Sequence, residues 1–248
     1  MRPARRTRPE LTAGSYRRLA RPAGMAPFRI VDGETDLLLF GSRSLPGKAA
    51  QWVHEAREQI TGYIRSHAGF RESLVPLPDD ACAPDVVRTM LRAGIRARLG
   101  PMASVAGAIA EFTARRLLPH VPEIIAENGG DVFFRTDRPQ RFGIVAESAR
   151  NPLLHIEVGE AEAGAGMGVC TSSGTLGPSM NFGRADAVTI IARDTALADA
   201  LATATSNRVR RRRDIGPALD WALEHGAEGA VIIAFDRVAA IGAVRFSG

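Results

Sequence analysis

The sequence predicts an α+β fold with a largely antiparallel sheet and packed helices, and three observations carry that expectation. Strand-like pairs and helical stretches come in separate blocks instead of strict alternation. The apolar period changes from the helical 3.6 to the strand-like 2 after Pro119. Apolar residues make up 45% and charged residues 24% of the 248, which excludes a disordered chain and is enough for a sizeable core. Residues 1–25 lack periodicity and read as a basic N-terminal arm, and residues 26–248 read as a single domain.

Each element has its own signal. Phe28–Val31 and Thr35–Phe40 flank Asp32-Gly33-Glu34, a hairpin. Val53, Ala56, Ile60, Tyr63 and Ile64 fall at helical spacing between Pro46 and His67. Pro76–Pro84 is a loop, and Pro84–Leu99 and Pro101–Leu118 follow as helices with Pro near the first turn. Glu123–Glu127 and Asp131–Arg135 are strands around the tight turn Asn128-Gly129-Gly130. Further strands are expected at Phe142–Ala146, Leu153–Val158, Met167–Thr171 and Ala187–Ala192. A helix capped by Asp194 runs from Thr195 to Asn207, and another from Ile215 to His225 before Gly226. Gly229–Phe235 and Val238–Arg245 close the chain around a turn at Asp236-Arg237.

Composition narrows the function. No apolar run reaches the roughly 18–20 residues that cross a bilayer, so no membrane span is expected. The arginines of the arm lack a following apolar segment, which favours the cytoplasm over secretion. Two cysteines, Cys82 and Cys170, are too few for a disulfide scaffold. Residues 1–30 hold eight Arg against Glu10, and Arg208 with Arg210–Arg213 forms a second basic cluster. Each segment reads either as a contact for phosphates of a nucleotide, a nucleic acid or a membrane surface, or as a solvated arm and a helix end whose dipole favours cations. Nucleic acid is not an expected partner, because two Trp and two Tyr leave the basic residues without interleaved aromatics.

The most pointed chemistry lies between Asp194 and Ala204. Asp199 and Thr203, at i and i+4, place a carboxylate and a hydroxyl on one helical face among Ala and Leu. That pair suits a hard cation such as Mg²⁺, whose other positions stay with water and phosphate oxygens. The plainer alternative is a buried Asp satisfied by Thr or a nearby backbone N–H. Thr171-Ser172-Ser173-Gly174 offers hydroxyls and backbone N–H groups for a phosphate, although no Walker sequence follows. Cys170 reads as a packed strand residue, and the five histidines show no metal-ligand spacing.

Taken in order, Gly100-Pro101-Met102-Ala103, Glu127-Asn128-Gly129-Gly130-Asp131, Cys170-Thr171-Ser172-Ser173-Gly174 and Phe182-Gly183-Arg184-Ala185-Asp186-Ala187 resemble the ApbE-like superfamily, the FAD:protein FMN transferases. The chain is most similar to a bacterial and archaeal branch of unknown function within it. The resemblance implies an α+β duplication similar to the T-fold, with sheets that often complete themselves as homo-oligomers. It implies Asp199 and Thr203 as metal ligands and the Ala106 carbonyl as the third. It implies a flavin-nucleotide site framed by Asn128, Gly129, Gly130, Asp131, Thr171, Ser172, Ser173 and Gly174, with FAD held through its diphosphate on Mg²⁺. The implied activity is FMN transfer from FAD to a Ser or Thr of an acceptor protein, or FAD hydrolysis; the alternative is non-catalytic binding of a flavin or another phosphorylated metabolite.

Two positions depart from the superfamily pattern. Gly107 stands where its Ile-Ala-Lys-Gly motif has Lys, and Met180–Asp186 replaces its His-Ile-x-Asp-Pro segment, offering Arg184 and Asp186. The expectation is a metal half retained and a nucleotide half rebuilt, with Arg184 supplying charge in a different geometry.

Overall fold

The computed structural model describes residues 22–146, 153–159, 164–172 and 183–247. The predicted arm therefore lies outside the described residues up to residue 21, as do Ser173 and Gly174.

The chain opens with the hairpin β1 (Ala26–Asp32) and β2 (Thr35–Gly41), in which Asp32 faces Thr35 across the turn Gly33-Glu34. Helices α1 (Pro46–Ser66) and α2 (Asp85–Ala97) follow, then a 3₁₀ turn (Pro101–Ser104) leading into α3 (Val105–Leu117). The sequence signals one helix from Pro101; the tighter first turn is the difference. Strands β3 (Ile124–Asn128) and β4 (Asp131–Arg135) form the second hairpin. After them come β5 (Gln140–Val145), β6 (Leu153–Val158), β7 (Met167–Ser172) and β8 (Ala187–Ala192). Helix α4 (Thr195–Arg208) is capped as expected, with the Leu197 N–H donating to Asp194 Oδ1 at 2.9 Å. Helix α5 (Ile215–Glu224) and strands β9 (Gly229–Ala234), β10 (Arg237–Gly242) and β11 (Arg245–Phe246) complete it.

The C-terminal end corrects the sequence reading twice. Ala234 pairs with Arg237, so the turn is Phe235-Asp236, both at positive φ (55° and 59°), one residue earlier than predicted. The last segment is also two strands, because β11 leaves the neighbourhood of β9 and pairs with β6.

Eight strands form one antiparallel sheet in the order β1-β2-β3-β4-β7-β8-β9-β10, and β11-β6-β5 form a second. The larger sheet repeats one unit: two strands, helices, two strands. The first copy is β1–β4 with α1–α3, the second β7–β10 with α4 and α5, and the β4–β7 pairing is the seam between them. The antiparallel, duplicated α+β architecture is therefore as the sequence and its resemblance imply.

Period-2 alternation explains the three layers. On β4, Phe133 packs among Leu37, Ala110 and Leu117 on the helix side, while Phe134 packs among Ile144, Ile156 and Val169 on the side of the small sheet. Both are wholly buried, each contributing about 1.5–3 kcal/mol by removal from water. On the helix side, α4 is buried along most of its length, with Ala198, Ala200, Leu201 and Ala204 all at 0% exposure. No helix among the described residues is long and apolar enough to cross a membrane.

Candidate functional site

The predicted site residues gather at the seam. Asn128 and Asp131 face each other across Gly129-Gly130, whose φ angles of 67° and 107° suit glycine. The Asn128 amide Nδ2 donates to the Ala106 carbonyl at 3.1 Å, tying the hairpin tip to the first turn of α3. The Gly130 N–H donates to Glu127 Oε1 at 2.8 Å. Across the seam Asp131 pairs with Cys170, and directly opposed residues share a face of the sheet. The Cys170 thiol donates to the Thr195 carbonyl of α4 at 3.5 Å, so that face is the helix face.

Two glycines allow α4 to lie this deep. A Cβ on Gly107 would stand 2.5 Å from the Thr195 carbonyl oxygen and 3.0 Å from Asp199 Cβ; one on Gly168 would stand 2.6 Å from Thr195 Cα. The close approach lets the Gly107 N–H donate to Asp199 Oδ2 at 2.9 Å. Asp199 thus satisfies a first-turn N–H of α3 that has no partner within its own helix. The plainer sequence alternative, a carboxylate accepting a backbone N–H, describes one of its oxygens. The neighbouring Glu111 does likewise for α4, accepting the Thr195 N–H at 2.7 Å.

Electrostatics set these carboxylates apart. Both Asp131 and Asp199 keep part of their residue surface open, yet their carboxyl groups are hemmed in by protein. Burial raises the Asp131 pKa to about 7; the thiol of Cys170 lowers it, the Glu127 charge raises it further, and the Thr171 N–H lowers it. Asp199 is pushed well above the usual carboxylate range by burial first and the Asp131 charge second, against the N–H groups of Gly107 and Ala106. The Cys170 thiol is raised by burial and by both aspartates.

A carboxylate whose charge is disfavoured by a neighbouring one, as that of Asp199 is by Asp131, belongs to a donor set a divalent cation would relieve. Among the described residues no three His, Cys, Asp or Glu side chains converge on a metal-binding geometry. A cation here would rest on at most two carboxylates and neutral oxygens, which is the habit of Mg²⁺. Thr203, 8% exposed, follows one turn after Asp199.

The other candidates are placed differently. Thr171 and Ser172 belong to β7 and not to a loop; the Thr171 hydroxyl is 2.8 Å from that of Thr189, and Ser172 is buried. Arg184 is exposed, and its N–H donates to the Val209 carbonyl at 2.8 Å, about 15 Å along α4 from Asp199 at 1.5 Å per residue. The structure brings together Ala106, Asn128, Asp131 and Asp199 and sets Arg184 on a distant rim. Glu127 and the Gly107 N–H are members of the site that the sequence reading did not assign. A Glu placed directly before Asn-Gly-Gly, able to reach back to the turn, was the available signal.

Comparison with known proteins decides the family. The family model described as AbpE bacteria matches residues 17–221. The chain belongs to this family. Within it, the UPF0280 protein of Methanocaldococcus jannaschii is 38% identical over 220 residues, covering 85% of this chain and 88% of that one. The UPF0280 protein of Methanococcus aeolicus is 41% identical over 163 residues, which span 64% of this chain and 65% of the relative. Among solved structures, the flavin transferase ApbE of Vibrio cholerae superposes with a TM-score of 0.59 at 11% identity, over 89% of this chain and 97% of that one. The ApbE-like fold expected from the sequence is the fold observed.

Proposed function

We propose that this ApbE-like protein binds FAD at the seam together with a divalent cation, Mg²⁺, held by Asp199 and Thr203. One observation carries the reading: two buried carboxylates, Asp131 and Asp199, meet beside the glycine-bearing tip Asn128–Asp131 in a fold shared with flavin transferases. The hairpin tip, the end of β7 with Ser173 and Gly174 beyond it, and the more distant Arg184 would frame the nucleotide. When bound, the cation would neutralise charge on the diphosphate. The chain's own part is to hold the diphosphate in line and to exclude water with the apolar face of α4. The hydroxyl oxygen of an acceptor Ser or Thr attacks the FMN phosphorus, the bond from that phosphorus to the bridging oxygen breaks, AMP leaves with that oxygen, and the hydroxyl proton passes to solvent. With water as acceptor the products are FMN and AMP. A cytoplasmic location fits this chemistry.

Calorimetry with FAD, FMN, ATP and NAD in the presence of Mg²⁺ tests the reading, and flavin released on denaturing the purified protein would identify the ligand by its fluorescence. Absence of binding by any of the four below millimolar concentration sinks it. Gly107 favours a second reading. The position of the superfamily Lys has no room for any side chain, so a cation next to the substrate is lost and the pocket could bind without turnover. Mass spectrometry separates the two, since only the enzyme releases AMP from FAD, with the FMN either free or carried by the acceptor protein.

A further inference from the structure

The donor atoms at the seam do not fall as the superfamily pattern assigns them. The Ala106 carbonyl, the third ligand in that pattern, already accepts the Asn128 amide at 3.1 Å. As a first-turn residue of α3 it also stands in the helix's own hydrogen-bond ladder. A carbonyl oxygen has two lone pairs, and both are thereby engaged. Asp199 keeps capacity: it takes the N–H groups of Gly107 and Ala106, and a carboxylate accepts about four hydrogen bonds or ligands in all.

A closed circuit of contacts shows which other oxygen faces the same space. Asp131 opposes Asn128 across the hairpin, and Asn128 reaches Ala106. The next residue, Gly107, reaches Asp199, whose helix carries Thr195 one turn earlier. Thr195 accepts from Cys170, and Cys170 opposes Asp131 across the seam. Asp131, Asn128 and Cys170 all stand on the helix face, where α4 carries Asp199, and the Asp131 charge is close enough to act on the Asp199 carboxyl.

We infer that Asp131 is the second carboxylate of the cation site, in the place the superfamily gives to the Ala106 carbonyl. The inference rests on the cation reading above and changes its ligand set to Asp131, Asp199 and Thr203. Two carboxylates and a hydroxyl leave the remaining octahedral positions to water and phosphate. Asn128 then closes off the unused carbonyl instead of touching nucleotide.

Mn²⁺ titration of the full chain without nucleotide, followed by electron paramagnetic resonance and calorimetry, tests this directly. Asp131→Asn should lose about tenfold or more in Mn²⁺ affinity, as Asp199→Asn should, since even the partners behind metal ligands are worth 10–100-fold. Asn128→Ala should change it by less than about threefold, because the amide only occupies the carbonyl. Glu127→Gln, which removes a nearby charge but no ligand, should lose clearly less affinity than Asp131→Asn. Equal losses in Asp131→Asn and Glu127→Gln would mean a through-space charge effect and overturn the assignment. So would unchanged affinity in Asp131→Asn, or a large loss confined to Asn128→Ala. If Asp131→Asn fails to fold, Asp131→Ser carries the same expectation. A wild-type protein that binds FAD without responding to Mn²⁺ overturns the cation reading as well, whereas a Mn²⁺ response that survives Asp131→Asn overturns this assignment alone.

Discussion

Asp199 does two things with one carboxyl group, and a single substitution separates them. Asp199→Asn keeps the shape and can still offer its amide oxygen to the Gly107 N–H, while the charge that Asp131 disfavours is gone. Cation affinity should collapse and the cation-free protein should melt no lower than wild type, because a desolvated carboxylate is replaced by a neutral group. A drop in melting temperature with an unchanged response to Mg²⁺ would show that Asp199 serves the helix end alone. Asp131 gives a pH signature. Its pKa rises from the ordinary 3.8 to about 7 on folding, so between those values the native state holds more protons than the unfolded chain. Stability of the cation-free protein should therefore fall as pH rises from about 4 through about 7 and level off above, and cation affinity should rise over the same interval. Denaturant midpoints across that range check it, and Asp131→Asn should flatten the curve. The type of these residues could be read from the sequence: a carboxylate and hydroxyl four apart on a helix, and an acid after a glycine turn. Their mutual perturbation could not, because Asp131 and Asp199 meet only through a strand pairing and a helix crossing separated by dozens of residues.

At the scale of elements, the α3–α4 contact is the one most exposed to a small change. Gly107→Ala introduces a Cβ where the Thr195 carbonyl oxygen stands 2.5 Å away, and backbone must shift to admit it. A loss of about 1–3 kcal/mol is expected, together with weaker cation binding as Asp199 moves. A variant of wild-type stability would show that the crossing is looser than described. The end of α4 is the opposite case. Arg208 stacks 3.4 Å over the Trp221 ring and donates to the Ala204 carbonyl, whereas Arg210–Arg213 are exposed. Changing those four to Gln should leave ligand affinity within about twofold and remove only salt-dependent association, since exposed charges are screened. A hundredfold loss at moderate salt would instead place them in the site. Elements with a local cause were legible: the Asp194 cap, the Gly129-Gly130 turn and the amphipathic α1. Phe235-Asp236 was misjudged by a residue because both turn residues adopt positive φ without glycine, and β11 was invisible because a two-residue strand has no period.

At the scale of the whole molecule, the eight-stranded sheet ends in β1 and β10, neither of which has an outer partner among the described residues. Val31 on β1 is 62% exposed and Val238 on β10 is 51% exposed. Unpaired edges bearing apolar side chains are templates for further pairing. The expected outcome is a homo-oligomer formed through these edges; light scattering should give a multiple of the chain mass, and Val238→Lys should reduce it. A chain that stays monomeric at high concentration removes the idea.

The seam carries a consequence for heredity. Each repeat of the sheet contributes half of the polar cluster, Asn128 and Asp131 from the first and Asp199 and Thr203 from the second. An ancestor of one repeat could have had such a cluster only where two copies met edge to edge. With both repeats in one chain, the facing surfaces need not be identical. The cap from Asp199 to Gly107 runs from the second repeat to the first, whereas the reach from Asn128 to Ala106 stays inside the first.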